Sequence, residues 1–211
     1  MKPIYLAALL ALGTVSCVDN IPKLQLLSAT PPDEDCTIPE DEALLSGSLN
    51  LDLSSNYRLG FIVTSNLTST PIVVGEGQVA DPDSNAIYLT ELDLSYRTEP
   101  ELNIPSVTLP VYAAFRANED SSLLMSVLTR DAQNALFNGT AGGAVVDVLV
   151  TMRVRGHTIT GGEVETNELS YAITVVNDPF ICPKAGEVPA PPATECDQRG
   201  QNGIVPLCQA P

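Results

Sequence analysis

Apolar residues recur at every second position over most of the chain, and that period predicts strands. In "SGSLNLDLSS" (46–55), Leu49, Leu51 and Leu53 share a face, as do Tyr57, Leu59, Phe61 and Val63 in "NYRLGFIVTSNL" (56–67). "AIYLTELDLSYRT" (86–98) sets Tyr88 and Thr90 on one face with Leu92, Leu94 and Tyr96. "SVTLPVYAAFRANE" (106–119) aligns Val107, Leu109, Val111, Ala113 and Phe115. "AVVDVLVTMRVRGHTI" (144–159) aligns Val146, Val148, Val150, Met152 and Val154, and "EVETNELSYAITVV" (163–176) aligns Leu169, Tyr171, Ile173 and Val175. "PIVVGEGQVA" (71–80) reads as one more strand, interrupted by Gly75 and Gly77. Such runs, rich in β-branched and aromatic residues and punctuated by Gly, Pro, Asn and Asp, predict half-buried antiparallel strands. Together they predict an all-β domain over residues 44–178, an immunoglobulin-like sandwich of about seven strands. Gly161-Gly162 in "HTITGGEVE" marks the bend between two adjacent strands.

One segment departs from the period of two. "DSSLLMSVLTRDAQNALFNG" (120–139) carries Leu124, Val127, Leu128, Ala135 and Leu136 at helical spacing. Asp120 or Ser121 serves as the N-cap and Asn138-Gly139 as the stop, so the pattern predicts one inserted helix over about 121–137.

The two flanks differ from this middle. Met1–Ser16 has one lysine, a short apolar run (Ile4–Leu12) and then small residues. The run is well under the ~20 residues of a membrane span and reads as a secretory leader. Residues 17–43 hold four prolines (Pro22, Pro31, Pro32, Pro39) and an acidic cluster from Asp33 to Glu42, which predicts an extended tether. Within it, Leu24, Leu26 and Leu27 are apolar enough to pack on the domain or on a membrane. Residues 179–211 are rich in proline and polar residues, and predict a tail with no core of its own.

The chain holds five cysteines, Cys17, Cys36, Cys182, Cys196 and Cys208. An odd number in an exported protein leaves one thiol to explain. The sequence around the first, Thr14-Val15-Ser16-Cys17, resembles the lipobox of bacterial lipoprotein signal peptides, with Thr14 where that pattern prefers Leu. The resemblance implies cleavage before Cys17 and a diacylglyceryl group on its thiol, a palmitate-type anchor. Val18, in place of the Asp that retains some lipoproteins on the inner membrane, implies the outer membrane, with the domain facing the periplasm or the cell surface. Two or three acyl chains suffice for stable attachment. The other four cysteines then form an even set suited to an oxidising compartment. Spacing favours Cys196–Cys208 and Cys36–Cys182, although three connectivities are open.

A second resemblance covers "VDVLVTMRVRGHTITGGEVETNELSYAITVVNDPFICP", which is similar to the closing strands of small secreted β-sandwich lipoproteins of myxobacterial type. It implies a sandwich fold and an envelope location, and no catalytic motif comes with it.

Charge narrows the partners. The formal net charge is −16, and becomes −17 once the leader and its single lysine are removed. Such a surface repels nucleic acid and anionic membranes, so a nucleic-acid partner is not expected. Arg153 and Arg155 are the only close basic pair.

Catalytic patterns are sparse. The single histidine, His157, reads as a turn residue on the surface, and there is no G-x-S-x-G, H-E-x-x-H or phosphate-cradling glycine loop. The chain has no tryptophan for sugar stacking. Asp81, Asp83 and Asn85 in "DPDSN" have the alternating oxygens that open many calcium loops, but Ala86 stands where an EF-hand needs glycine. As turn formers beside Pro82 they have a second explanation. The expectation is a non-enzymatic, cofactor-free envelope lipoprotein, a structural or protein-binding sandwich with an envelope protein as partner. The alternative is an accessory module binding a small molecule, a sugar or calcium.

Overall fold

The computed structural model describes residues 22–39 and 43–211, without the side chains of 79–82. The chain runs β1 (Leu24–Thr30), β2 (Ser46–Asn50), β3 (Arg58–Ser65), β4 (Pro71–Val74), β5 (Gly77–Asp83), β6 (Ile87–Glu99), β7 (Val107–Phe115) and β8 (Asp120–Ser126). It continues through α1 (Arg130–Gly139), β9 (Val146–Thr158), β10 (Glu163–Glu165), β11 (Leu169–Val176), β12 (Val188–Pro189) and β13 (Cys208–Gln209). A six-stranded sheet has the order β2-β11-β9-β6-β7, with β10 also paired to β9, and a three-stranded sheet has the order β1-β3-β8. Their inward faces share one core that includes Leu24, Leu59, Phe61, Leu94, Val150 and Ile173. The fold is therefore the expected all-β sandwich.

The pairing is antiparallel except between β2 and β11, which run parallel from Ala172↔Ser46 to Val176↔Asn50. The alternation transfers almost unchanged in the central strand: Val146, Val148, Val150, Met152 and Val154 of β9 are all buried. β7 is an edge strand, and accordingly carries Pro110, which has no N–H to give a ladder. Gly75 of "PIVVGEGQVA", at φ +65°, sits in the hairpin turn between β4 and β5, and Gly77 opens β5. Gly161, at φ +87°, turns β9 into β10 as the sequence predicts.

Several expectations need correction. Residues 120–126 form β8, and the helix is limited to Arg130–Gly139. The apolar run Leu123–Met125 is drawn into pairing along the free edge of β3, with Leu123↔Phe61 and Met125↔Leu59, so tertiary pairing overrides helical spacing. The helix starts instead at Thr129, whose hydroxyl accepts from the Ala132 amide at 3.2 Å. The second correction concerns β6. Leu89 pairs with Gly156 and Glu91 with Arg155, so Thr90 is an extra residue, a β-bulge against β9. The bulge reverses the faces, burying Ile87 and Leu89 before it and Leu92 and Leu94 after it, and turning Tyr88 outward. β2 also stops at Asn50, and Leu53 lies in the turn beyond it.

The third correction is to the tether: Leu24–Thr30 is a strand, with Leu24, Leu26 and Ala29 buried and Leu27 exposed. Antiparallel pairing from Leu24↔Ser65 to Thr30↔Gly60 makes it part of the domain. The fourth is to the tail, which docks rather than trailing. The Asn202 amide donates to Ser48 O at 2.8 Å, Gln201 bridges to Leu49, and Gln201 is only 3% exposed.

β1 and β3 also give the domain two ends. The chain enters beside Ser65: Asn66 Nδ2 donates to Pro22 O at 2.9 Å, and Lys23 Nζ to Glu163 O at 3.3 Å. The tail docks at the other end of β3, where the Arg58 amide donates to Gln201 Oε1 at 2.7 Å. At ~3.3 Å per residue these ends are about 23 Å apart along β3.

Candidate functional site

The four described cysteines form two disulfides, with partners other than those favoured by spacing. Cys36 bonds Cys196 and Cys182 bonds Cys208, each with S–S near 2.0 Å. The physical reason is the docking of the tail. Residues 31–39 close over the end of β1, with Ile38 packed against Gly60, and the Thr194 hydroxyl donates to Glu34 O at 2.8 Å. That contact sets Cys196 beside Cys36, while the β12–β13 pairing Pro189↔Cys208 brings Cys208 back toward Cys182. Cys17 lies outside the described residues.

The proposed calcium ligands sit at the β5–β6 junction. Asp83 Oδ1 accepts from the amides of Thr70 and Asn85, both at 2.9 Å, and Asn85 Nδ2 donates to Thr68 O at 2.7 Å. Burial pushes the Asp83 carboxyl up, but these amide donors outweigh it and hold it below its ordinary value. Asp83 Oδ1 and Asn85 Nδ2 are used to join this turn to residues 68–70, whereas Asp83 Oδ2 is buried with no hydrogen-bond partner among the described residues. Asp81 falls within β5, and its side chain lies outside the description. Among the described residues no group of three or more His, Cys, Asp or Glu side chains is arranged to hold a metal ion. His157 is on β9 rather than in the turn; it is exposed and stacks on Tyr88, its cross-strand neighbour, at 5.8 Å between centroids.

Two arrangements emerge that the sequence signalled only faintly. The first is on the outer face of the six-stranded sheet. Because Leu92, Leu94, Met152 and Val154 point inward, Asp93, Arg153 and Arg155 point outward. Arg155 clamps Asp93 through Nε and an Nη2, both at 2.8 Å, and reaches Glu91 at 2.9 Å. Thr108 donates to Asp93 at 2.6 Å. The Arg155 guanidinium holds the Asp93 carboxyl below its usual range against the opposing effect of burial, with Thr108 assisting. Arg155 is thus committed to neighbouring carboxylates, while Arg153 lies 3.7 Å from Asp93 and 3.8 Å from Glu165 with no hydrogen-bond partner on its Nε among the described residues. Opposite charges placed alternately, Glu91 and Asp93 against Arg153 and Arg155, are the sequence signal for this cross-strand network.

The second arrangement is a cavity of about 590 Å3 where the tail meets the sandwich, lined by Asn56, Arg58, Thr194, Glu195, Arg199 and Gln201 among others. Arg199 is spent within it: Nη2 meets Asp197 Oδ2 at 2.6 Å, and Nη1 donates to Ala190 O at 2.7 Å. That pairing brings the Asp197 carboxyl down to about 2. These residues come from chain segments some 140 positions apart, so no local motif announces them.

No family model matches the chain, and no curated protein or solved structure matches it.

Proposed function

We propose that this chain is a non-enzymatic envelope lipoprotein, held by acyl chains on Cys17 at the outer membrane, whose sandwich is a structural or protein-binding unit. The observation that carries this reading is the cysteine pairing. The two bridges take Cys36, Cys182, Cys196 and Cys208 and leave Cys17, the residue that follows the lipobox-like Thr14-Val15-Ser16. Two disulfides also suit an extracytoplasmic compartment.

On this reading only residues 18–23 separate the lipid from β1, a reach of about 20 Å when fully extended. The sandwich then rides close to the bilayer with its entry end inward, and its disulfide-bonded end points away. That outer end carries Ile181 and Leu207, each 82% exposed, beside the Cys182–Cys208 bridge. Exposed apolar side chains held on a rigid, cross-linked element suit a protein partner.

Intact mass of the membrane-extracted protein, before and after reduction, tests the anchor. The expected mass starts at Cys17, includes acyl chains, and rises on reduction by the hydrogens that open both bridges. An unlipidated chain cut elsewhere overturns the anchor. Replacing Ile181 and Leu207 with Ser tests the surface: a stoichiometric envelope partner retained by the natural chain should be lost.

A further inference from the structure

The cavity between tail and sandwich holds two donors that nothing in the described protein uses. Arg58 is half-buried, and its guanidinium has no ion-pair or hydrogen-bond partner among the described residues, in a chain with 26 acidic residues. Arg97 and Arg130, which likewise lack such partners, are fully at the surface where water serves them. The second donor is Gln201. It is 3% exposed, its Oε1 is taken by the Arg58 amide, and its Nε2 has no partner. Burying an amide N–H₂ unpaired is costly, and an unpaired guanidinium beside it offers the charge and the fork of donors that an anion takes. Both groups belong to residues joined by a hydrogen bond and lining one cavity, whose volume is in the range of small-ligand sites.

We propose that this cavity binds a carboxylate. A carboxylate oxygen accepts from a guanidinium and from an amide alike, and it carries the single negative charge that Arg58 can balance. A phosphate dianion fits worse, because Glu195 and Asp197 also line the cavity and Arg199 offsets only the latter. Leu53, Pro192 and Ala193 supply apolar wall for the remainder of the ligand. The site stands whether or not Cys17 carries lipid, since the Cys36–Cys196 bridge and the docked tail build it. The carboxylate comes either from a free small acid or from the C-terminus of a peptide.

Titration of the purified full-length protein, followed by NMR of the Arg58 guanidinium and the Gln201 side-chain amide, tests this. The probes are propionate, a tripeptide with a free C-terminus, and the same tripeptide amidated. Saturable shifts of both groups with propionate identify a small acid, and shifts with the free tripeptide alone identify a peptide terminus. Arg58→Gln and the near-isosteric Gln201→Glu should each weaken binding by about tenfold or more, the latter by opposing one carboxylate with another. Glu195→Gln should strengthen it by removing a competing negative charge, and Arg97→Gln should leave it unchanged. Equal binding of the amidated tripeptide, silence from all three probes, or unchanged affinity in a folded Arg58→Gln protein overturns the proposal.

Discussion

The Tyr57 hydroxyl donates to Asn202 Oδ1 over 3.0 Å, across 145 positions of sequence, and lies 3.1 Å from the Tyr171 hydroxyl. Burial, with the neighbouring Tyr171 adding to it, pushes the Tyr57 phenol well above its ordinary pKa, so it remains a neutral donor. Asn202 Oδ1 also accepts from the Ser48 amide at 3.1 Å. A polar contact inside the sandwich thereby locks the tail to β2 and β3. Tyr57→Phe leaves the Tyr171 hydroxyl without its acceptor and removes one donor from Asn202, and should cost about 1–3 kcal/mol in urea unfolding. Tyr171→Phe, which spares the Asn202 bond, should cost less. Equal stability of Tyr57→Phe and the natural chain would refute the lock.

Gly47 makes room for that hydroxyl. A Cβ at this position would lie 1.8 Å from Tyr57 Oη and 2.5 Å from Asn202 Oδ1, and no side chain can occupy that space as built. Gly47→Ala should destabilise by about 1–3 kcal/mol, typical of overpacking. Combined with Tyr57→Phe it should cost less than the two separate losses, because truncating the hydroxyl relieves part of the clash. A double-mutant cycle measures the difference, and strict additivity would mean that the two positions do not compete.

The bridges differ in what they close. Cys36–Cys196 spans 160 residues and Cys182–Cys208 spans 26. In the chain-entropy treatment these correspond to about 5 and about 3.5 kcal/mol. Replacing Cys36 and Cys196 together with Ser should therefore lower the unfolding midpoint more than replacing the other pair. Peptide mapping without reductant should recover Cys36 joined to Cys196, and recovery of Cys196 joined to Cys208 would contradict the docked tail.

Strands were legible where each residue's fate depended on its immediate neighbours. The alternation in β9 and β11 specifies both strand and inward face, since a strand buried on one side needs only a period of two. What failed was decided at a distance. Residues 120–126 carry a helical stripe but lie along an open strand edge, and only the position of β3 reveals that. Thr90 looks like one more residue of the Leu92 and Leu94 face until Gly156 is placed opposite the bulge. Leu24, Leu26 and Ala29 belong to a strand whose partner lies some 35 positions on, and the prolines after it disguised the run as a tether. The tail cavity was least legible, because Arg58 and Gln201 acquire meaning only once the tail has docked.

Acid should loosen that docking. The Asp197 carboxyl, ordinarily at 3.8, is brought to about 2 by the Arg199 guanidinium and by amides of Arg199 and Ala193, against the contrary effect of burial. A carboxyl whose folded pKa is depressed stabilises the fold above its unfolded pKa, and that stability fades as pH falls through the folded value. The contribution is thus whole above about pH 5 and shrinks between about pH 4 and pH 2. Urea midpoints measured through this window should fall less steeply for Asp197→Asn than for the natural chain, with the variant already weaker at pH 5. Parallel slopes would place the acid sensitivity elsewhere.

The bulge in β6 yields the sharpest test of the sandwich itself. Gly156 pairs with Leu89 there, and a Cβ on it would meet the Tyr88 carbonyl oxygen at 2.1 Å and the Leu89 Cα at 2.9 Å. These are backbone atoms held by pairing to β7 and β9 on both sides, so they have little freedom to retreat. Gly156→Ala should cost more than about 3 kcal/mol, beyond the range of an ordinary surface change. Gly77→Ala, at a position where the nearest atom is 3.9 Å away, should stay within about 0.5 kcal/mol and serves as the control. Deleting Thr90 should be far milder than Gly156→Ala. Without the extra residue, Leu89 and Glu91 become adjacent opposite Gly156 and Arg155, and Ile87, Leu89, Leu92 and Leu94 alternate regularly on the buried face. A cooperatively unfolding deletion variant is therefore expected, and loss of the cooperative transition would mean that the bulge is a condition for the fold.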